Sequence, residues 1–316
     1  TIKSFLPSCT ICSRQARSVL GTGGMMPLPN RFLTSLLCRY KGRLMLIDCG
    51  EGTQVTLKIL GWGFKNIDVM CFTHYHADHI SGLAGMLLTI GNSGRTEELT
   101  IIGPKGLERV FNGLMTIAPE LPFPVKIIEI QNDEDDVFNF DDLTIKAVKA
   151  DHAITCYAYS LNIRRKGKFD IEKAKKFGLP KETWSILQKG EVVTFDGNNY
   201  TSDDVLGEDR KGIKVTYCTD SRPFPKLAEF AQNSDLFICE GMYGEDDKKD
   251  KAIEHKHMLF SEAGKTAKDA NVKELWLTHF SPALTEPERF EKFIQGIFSN
   301  TVIGYDRINK TILFEN

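Results

Sequence analysis

Short apolar runs and helical patterns alternate along this chain. Arg43 to Ile47, Val69 to Phe72, Leu99 to Ile102 and Val125 to Glu129 read as strands, and Gly52 to Leu60, Ile80 to Ile90 and Gly106 to Thr116 as helices. The second half repeats the mixture, with strands over Leu143 to Val148, Ile213 to Cys218, Leu236 to Cys239 and Glu274 to Leu277. Helical patterns there cover Pro225 to Gln232, Ser261 to Ala270 and Pro287 to Ile297. Such alternation predicts an α/β fold in which two sheets are faced by helices. One stretch breaks the rhythm: Ile163 to Gly212 is polar, basic and turn-rich, so it is expected to bury little surface and to project from the core as an inserted arm.

The chemistry gathers where the apolar runs stop. After Val69 to Phe72 the chain reads Thr73, His74, Tyr75, His76, Ala77, Asp78, His79, an HxHxDH cluster. In extended backbone His74 and His76 project to the same side and can reach one ion, while Asp78 and His79 follow around the turn towards a neighbouring one. Leu143 to Val148 likewise ends near Asp151 and His152, Ile213 to Cys218 before Asp220, and Glu274 to Leu277 before His279. Open α/β sheets bind ligands beyond the carboxyl ends of their strands, so these loops are expected to converge on one edge. The donors then sort into two sites: His74, His76 and His152 for one ion, Asp78, His79 and His279 for a second, with Asp220 bridging both. Imidazole and carboxylate donors without a thiolate point to two zinc ions, or to another borderline metal such as manganese, in catalytic rather than structural use.

Composition narrows the class without choosing the substrate. The net charge of −2 says nothing for nucleic acid by itself. Yet residues 163–190 carry nine Lys/Arg against three acids, +6 in one segment and −8 in the remainder, which suits a phosphate-rich partner. No apolar run approaches the ~20 residues that span a bilayer, and residues 1–20 lack a long apolar signal core, so a cytoplasmic enzyme with no membrane association is expected. Of eight cysteines, Cys38, Cys49, Cys71, Cys218 and Cys239 lie in or beside apolar runs, where reduced thiols act as small hydrophobes. Cys9 and Cys12 form a single CxxC without a partner pair and read as incidental.

THYHADH, with Asp48, His152, Asp220 and His279 in order, resembles the metallo-β-lactamase fold. GTGGMMPLPNR (21–31), IDCGEGTQ (47–54), LTIIGPKGLE (99–108), GKFDIEKAKKFGLP (167–180) and LWLTHFSP (275–282) are similar to ribonuclease Z, the tRNA 3′-processing endonuclease. The similarity runs from about residue 18 to the C-terminus, which leaves residues 1–17 as an extension, variable or non-native, and 18–316 as the catalytic domain. The resemblance implies an αββα sandwich with metals at one edge, a 163–212 arm that grips the tRNA body, and a homodimer in which one subunit's arm serves the other's active site. It implies an endonuclease that removes the 3′ trailer of precursor tRNA by two-metal phosphodiester hydrolysis and leaves a 3′-hydroxyl.

The family also suggests individual roles. Asp78 is expected to orient and deprotonate the attacking water, a plain ligand role being the alternative. His257 matches the family's proton donor by position better than His255, and Glu240 would hold it, although Cys239 stands where the family has His. Asp48 is expected to brace the metal loop. GTGG at 21–24 reads as a tight turn, since no GK[ST] follows. Pro29 replaces the lysine of the family's PxKxRN pattern, and the arm lacks the Gly-Pro tip, so discrimination of mature CCA ends and the arm's contacts stay open. Another hydrolase of the fold, such as a small-molecule phosphodiesterase, is the alternative, and a non-catalytic RNA-binding protein a further one.

Overall fold

In the computed structural model, residues 15–118, 120–132 and 136–315 are described. The first sheet takes β1 (Gln15–Gly21), β2 (Ser35–Tyr40), β3 (Arg43–Ile47), β4 (Ile67–Cys71), β5 (Leu99–Gly103) and β6 (Val125–Glu129), and is completed by β16 (Ile308–Ile312) beside β1. The second runs β15 (Thr301–Ile303), β14 (Leu275–Thr278), β13 (Leu236–Glu240), β12 (Arg210–Cys218), β9 (Tyr157–Arg165), β8 (Leu143–Lys149) and β7 (Asp136–Phe140) in spatial order. Each sheet thus has seven strands. The α/β sandwich expected from the alternation is what forms.

Burial explains the sequence pattern. In β3, Met45 and Ile47 face the layer between the sheets, where they join Val19, Ile145, Tyr159, Val215 and Ile238. Leu44 and Leu46 face outward under α1 (Thr53–Leu60) and α3 (Leu83–Asn92), with Leu57, Leu83 and Leu87. Phe237 and Cys239 of β13 likewise pack under α9 (Phe260–Asp269) and α10 (Glu291–Ile297). Strands covered on both faces read as unbroken apolar runs, and β3, β4, β5, β12, β13 and β14 are among the strands the sequence marks. β16, with Asn309 and Lys310 exposed or half-exposed at the sheet edge, carries no such run.

Three expectations need correction. The extension does not reach residue 17, because Ala16 and Arg17 are strand residues paired with Arg39 and Cys38 on one side and Thr311 and Lys310 on the other. Buried polar Arg17 and Ser18 hide that strand from the apolar pattern. Residues 1–14, Cys9 and Cys12 among them, lie outside the described residues. The helix expected over Ile80 to Ile90 is two: α2 (Ala77–Ile80) and α3, broken at Ser81 and Gly82. Gly82 donates its N–H to Cys49 O at 2.9 Å, and a Cβ on it would lie 2.2 Å from Gly50 O, so the break is where two backbones touch.

The inserted segment is the third. Ile163 to Arg165 still belong to β9 and Arg210 to Gly212 to β12. Between them α5 (Ile171–Lys176), α6 (Lys181–Gln188) and the hairpin of β10 (Val193–Phe195) and β11 (Asn198–Tyr200) close on a small core of Ala174, Leu179, Leu187, Val193 and Val205, flanked by Phe169 and Trp184. Far from burying little, the arm folds on its own apolar side chains. Its basic half is also partly offset: Arg164 pairs with Asp209 and Lys166 with Asp203.

Gly50 brings the β3–α1 loop directly against the HxHxDH turn, since a Cβ there would sit 2.0 Å from Asp78 O. Gly50→Ala should therefore cost at least about 2 kcal/mol, measured by denaturant unfolding, and lower metal uptake with it. An unchanged midpoint would show that the two loops separate freely.

Candidate metal centre

β3, β4 and β5 run parallel, as do β12, β13 and β14, and their carboxyl ends meet at one edge between the sheets. β8 delivers His152 to the same edge because it is antiparallel to β9, which is itself antiparallel to β12. Several strands hand over to the site through a left-handed residue. Asp48 (φ 61°), Asp220 (φ 52°) and His279 (φ 58°) each adopt this conformation one or two positions past a strand end. Non-glycine residues pay about 1–3 kcal/mol for such backbone, and it recurs at sites whose surroundings enforce it.

All seven sequence-derived donors are brought together. His74, His76, His152 and Asp220 present ligand atoms mutually within 4.8 Å, and so do Asp78, His79 and His279. His74 Nε2 lies 2.9 Å from His76 Nδ1, which is 3.4 Å from His152 Nε2. His79 Nε2 and His279 Nε2 are 3.2 Å apart and lie 3.4 and 3.5 Å from Asp78 Oδ2. Asp220 divides itself between the groups: Oδ1 is 3.2 Å from His79 and 3.0 Å from His279, and Oδ2 is 3.6 Å from His74 and 3.9 Å from His152. Nitrogens on one tetrahedral zinc at ~2.05 Å would be about 3.3 Å apart, so the spacing fits cations between these atoms.

The nitrogens turned away from the cluster are mostly occupied. His79 Nδ1 is 2.9 Å from Asp48 Oδ2, and Asp48 also accepts from Thr73 N at 2.8 Å, Thr73 Oγ1 and Tyr217 OH. Thr73 Oγ1, its proton given to Asp48, faces His74 Nδ1 at 3.0 Å. His152 Nδ1 donates to Lys256 O at 3.2 Å. Each bond fixes the tautomer that leaves Nε2 as a lone pair for a cation. Asp78 Oδ2 accepts the Met25 N–H at 2.7 Å, and Gly24 lies so close under His279 that a Cβ would come within 2.6 Å of its ring. That contact gives GTGG its meaning: the turn packs bare backbone against a donor ring.

His257 and Glu240 stand beside this cluster. Glu240, fully buried at the end of β13, accepts from His257 Nδ1 at 3.1 Å and from the backbone N–H groups of Met258 and Ser221. The His257 ring is 5.5 Å from those of His152 and His279, whereas His255 is exposed. Arg222, two residues beyond Asp220, donates to His257 O at 2.6 Å and forks onto Glu262 of α9. Sequence reading missed Met25, Lys256 and Arg222; the first two act through backbone atoms, which leave no side-chain signature. Arg31, two residues after Pro29, donates to Leu284 O and Thr285 O and so ties the 27–31 loop to the loop after His279.

The charges are those of a site built around cations. Burial works against a charged ring at His74 and holds it well below its ordinary pKa. Burial opposes charge at His279 and His79 too, but Asp220 more than reverses it, raising His279 to about 10 and His79 well above its usual value. Burial pushes the Asp78 and Asp220 carboxyls up, yet the facing rings keep both well below the carboxylate range. Buried carboxylates that must draw protons onto neighbouring rings have negative charge to spare, and a divalent ion would answer it. The result is a His/Asp metal-binding cluster of the zinc type.

Comparison with known proteins agrees. The family sequence model described as "Anti-Pycsar protein Apyc1" matches residues 18–172, just under half of the chain. "Ribonuclease Z" of Clostridium acetobutylicum is 56% identical over 303 residues, covering 94% of this chain and 98% of that one. "Ribonuclease Z" of Clostridium kluyveri is 54% identical over 297 residues, with the same coverage. Among solved structures, human tRNase Z, short form, superposes with a TM-score of 0.69 at 23% identity, covering 95% of this chain and 100% of that one. The metallo-β-lactamase fold protein YhfI from Bacillus subtilis gives 0.68 at 22%, covering 94% and 99%. These structures show the fold, and the relatives, identical at more than half of the aligned positions from end to end, show that the chain belongs to the ribonuclease Z family.

Proposed function

We propose that this chain, by family a tRNA 3′-processing endonuclease, removes the 3′ trailer of precursor tRNA with two zinc ions and leaves a 3′-hydroxyl on the tRNA. His74, His76 and His152 would hold one ion and Asp78, His79 and His279 the other, with Asp220 shared. The observation that carries this reading is Asp220, whose two oxygens face the two donor groups separately. When bound, such ions supply Lewis acidity to the phosphodiester and an acidified water. Asp78, steadied by the Met25 N–H, would orient that water and take its proton. Glu240 holds His257 by Nδ1, leaving Nε2 to give a proton to the departing oxygen on the other side of phosphorus. Burial alone would discharge this ring, but Glu240 raises its pKa, and a ring that keeps its proton is a donor.

The arm, read as the tRNA grip, draws support from its free cations. Lys168, Lys176, Lys181 and Lys189 are exposed and have no ion-pair partner among the described residues. Over 163–212, however, eleven Lys/Arg meet nine acids, so the grip would rest on these lysines and not on bulk charge. Homodimer formation is part of the proposal, and α1 leaves Val55 and Ile59 exposed as an apolar face for a second copy. A cytoplasmic location goes with it, no helix among the described residues being long and apolar enough to cross a membrane.

Asp220→Asn should lower metal affinity by about 100-fold or more and take the activity with it, with elemental analysis falling from two equivalents of zinc. Full zinc retention would sink the bridging role. His257→Ala should lower kcat on precursor tRNA by about 10²- to 10⁴-fold at unchanged zinc content, and the defect should shrink on a p-nitrophenyl phosphodiester, whose leaving group needs no proton. Equal loss on both substrates would remove His257 from the donor role. Excision of residues 166–209, joining β9 to β12, should abolish precursor tRNA cleavage and preserve hydrolysis of the small phosphodiester; loss of both would count against an exosite.

A further inference from the structure

A cavity of about 430 Å³ opens over the donor cluster, and beyond the cluster itself its walls include Tyr243, Lys251, Glu254, His255 and Ser281. Lys251 is the one Lys or Arg among the residues lining it. It stands on α8 (Lys249–His255), a helix outside both sheets that ends next to the Lys256 carbonyl holding His152. No ion pair engages Lys251 among the described residues, and its neighbour Glu254 is not within pairing distance. What holds it is the ring of Tyr243, with Nζ 5.5 Å from the centroid.

The Tyr243 ring is itself fixed. Tyr243 is buried, bridges to Leu259, accepts the Phe260 N–H through its carbonyl, and packs with Met242, Ala252 and Leu259. A cation over a rigid ring face gains about 0.5–1 kcal/mol at an exposed site, enough to favour one direction without consuming its hydrogen-bonding protons. His255, four residues on and therefore on the same helix face, lines the cavity beside it.

We propose that Lys251, poised on Tyr243, binds a substrate phosphate next to the scissile one, with His255 as its neighbour in the same subsite. This rests on the reading of the substrate as RNA. A polynucleotide entering this cavity brings a row of phosphates, so with one at the donor cluster its neighbour falls towards the lining residues, of which Lys251 is the cation. Lys251 meets that charge. Lys251 is thus a binding residue, separate from the arm.

The test measures cleavage of precursor tRNA and equilibrium binding of a single-stranded oligoribonucleotide to the zinc-loaded protein, each as a function of salt. Lys251→Ala should raise KM about tenfold with kcat within about twofold, and the slope of log affinity against log salt should fall by about one contact; Lys251→Arg should restore both. An unchanged salt slope in Lys251→Ala would overturn the proposal. So would a fall in kcat at constant KM, which would make Lys251 a prop for Tyr243. If wild-type protein leaves precursor tRNA uncut, the proposed function fails, while the salt slope of oligoribonucleotide binding still decides for or against Lys251.

Discussion

The structure depends on bringing two carboxylates and five imidazoles together at one sheet edge, where a cation would take the place of the protons they otherwise share. Asp78, Asp220 and five histidines each have a ligand atom about 3 to 4 Å from that of a neighbour at this edge, with His74, His79, Asp220 and His279 buried. Left alone, such groups repel as anions or compete for protons, as the raised His79 and His279 and the depressed His74 record. Everything around the edge resists that tendency to spread. Asp48 takes the outer nitrogen of one ring, the Lys256 carbonyl that of another, and the Met25 N–H steadies Asp78.

The supports are joined to each other. Asp151 pairs with Lys256 and accepts the Arg222 N–H, Arg222 reaches His257 O and Glu262, and Ser221 N–H meets Glu240. One loop, Asp220 to Arg222, therefore touches the shared carboxylate, the histidine beside the cluster and the loop that carries His152. These bonds join distant strand ends into one network. The left-handed backbone at Asp48 is held by Thr73, His79 and Tyr217, and that at Asp220 and His279 by the contacts these two make with each other and with His79.

The two proposed contacts with RNA differ in kind. The arm has its own small core and offers exposed lysines, which on the proposed reading would hold the body of a large substrate. Lys251 lines the cavity over the donor cluster and, as proposed, would meet the strand that enters it. The separation suits an enzyme that must hold one structured region while a flexible end is threaded to the cut.

Much of this could be read along the chain. The doubly covered strands β3, β4, β5, β12, β13 and β14 announce themselves because burial on both faces demands unbroken apolar runs, and the ligating side chains follow them because sheet edges are where such strands stop. HxHxDH, His152, Asp220 and His279 were legible as donors from residue type and position alone, and Glu240 and His257 from resemblance. Tertiary structure alone decided what depends on backbone atoms or on long-range contacts: that Lys256 O and Met25 N–H orient donors, that Gly24 makes room for His279, and that Arg222 secures His257. It also decided that β1 starts at Gln15 despite its buried Arg17 and Ser18, and that the arm folds on a core of its own. A side chain advertises its chemistry in the sequence, whereas a carbonyl, an N–H or a missing Cβ is common to every chain and acquires a role only from what folding places beside it.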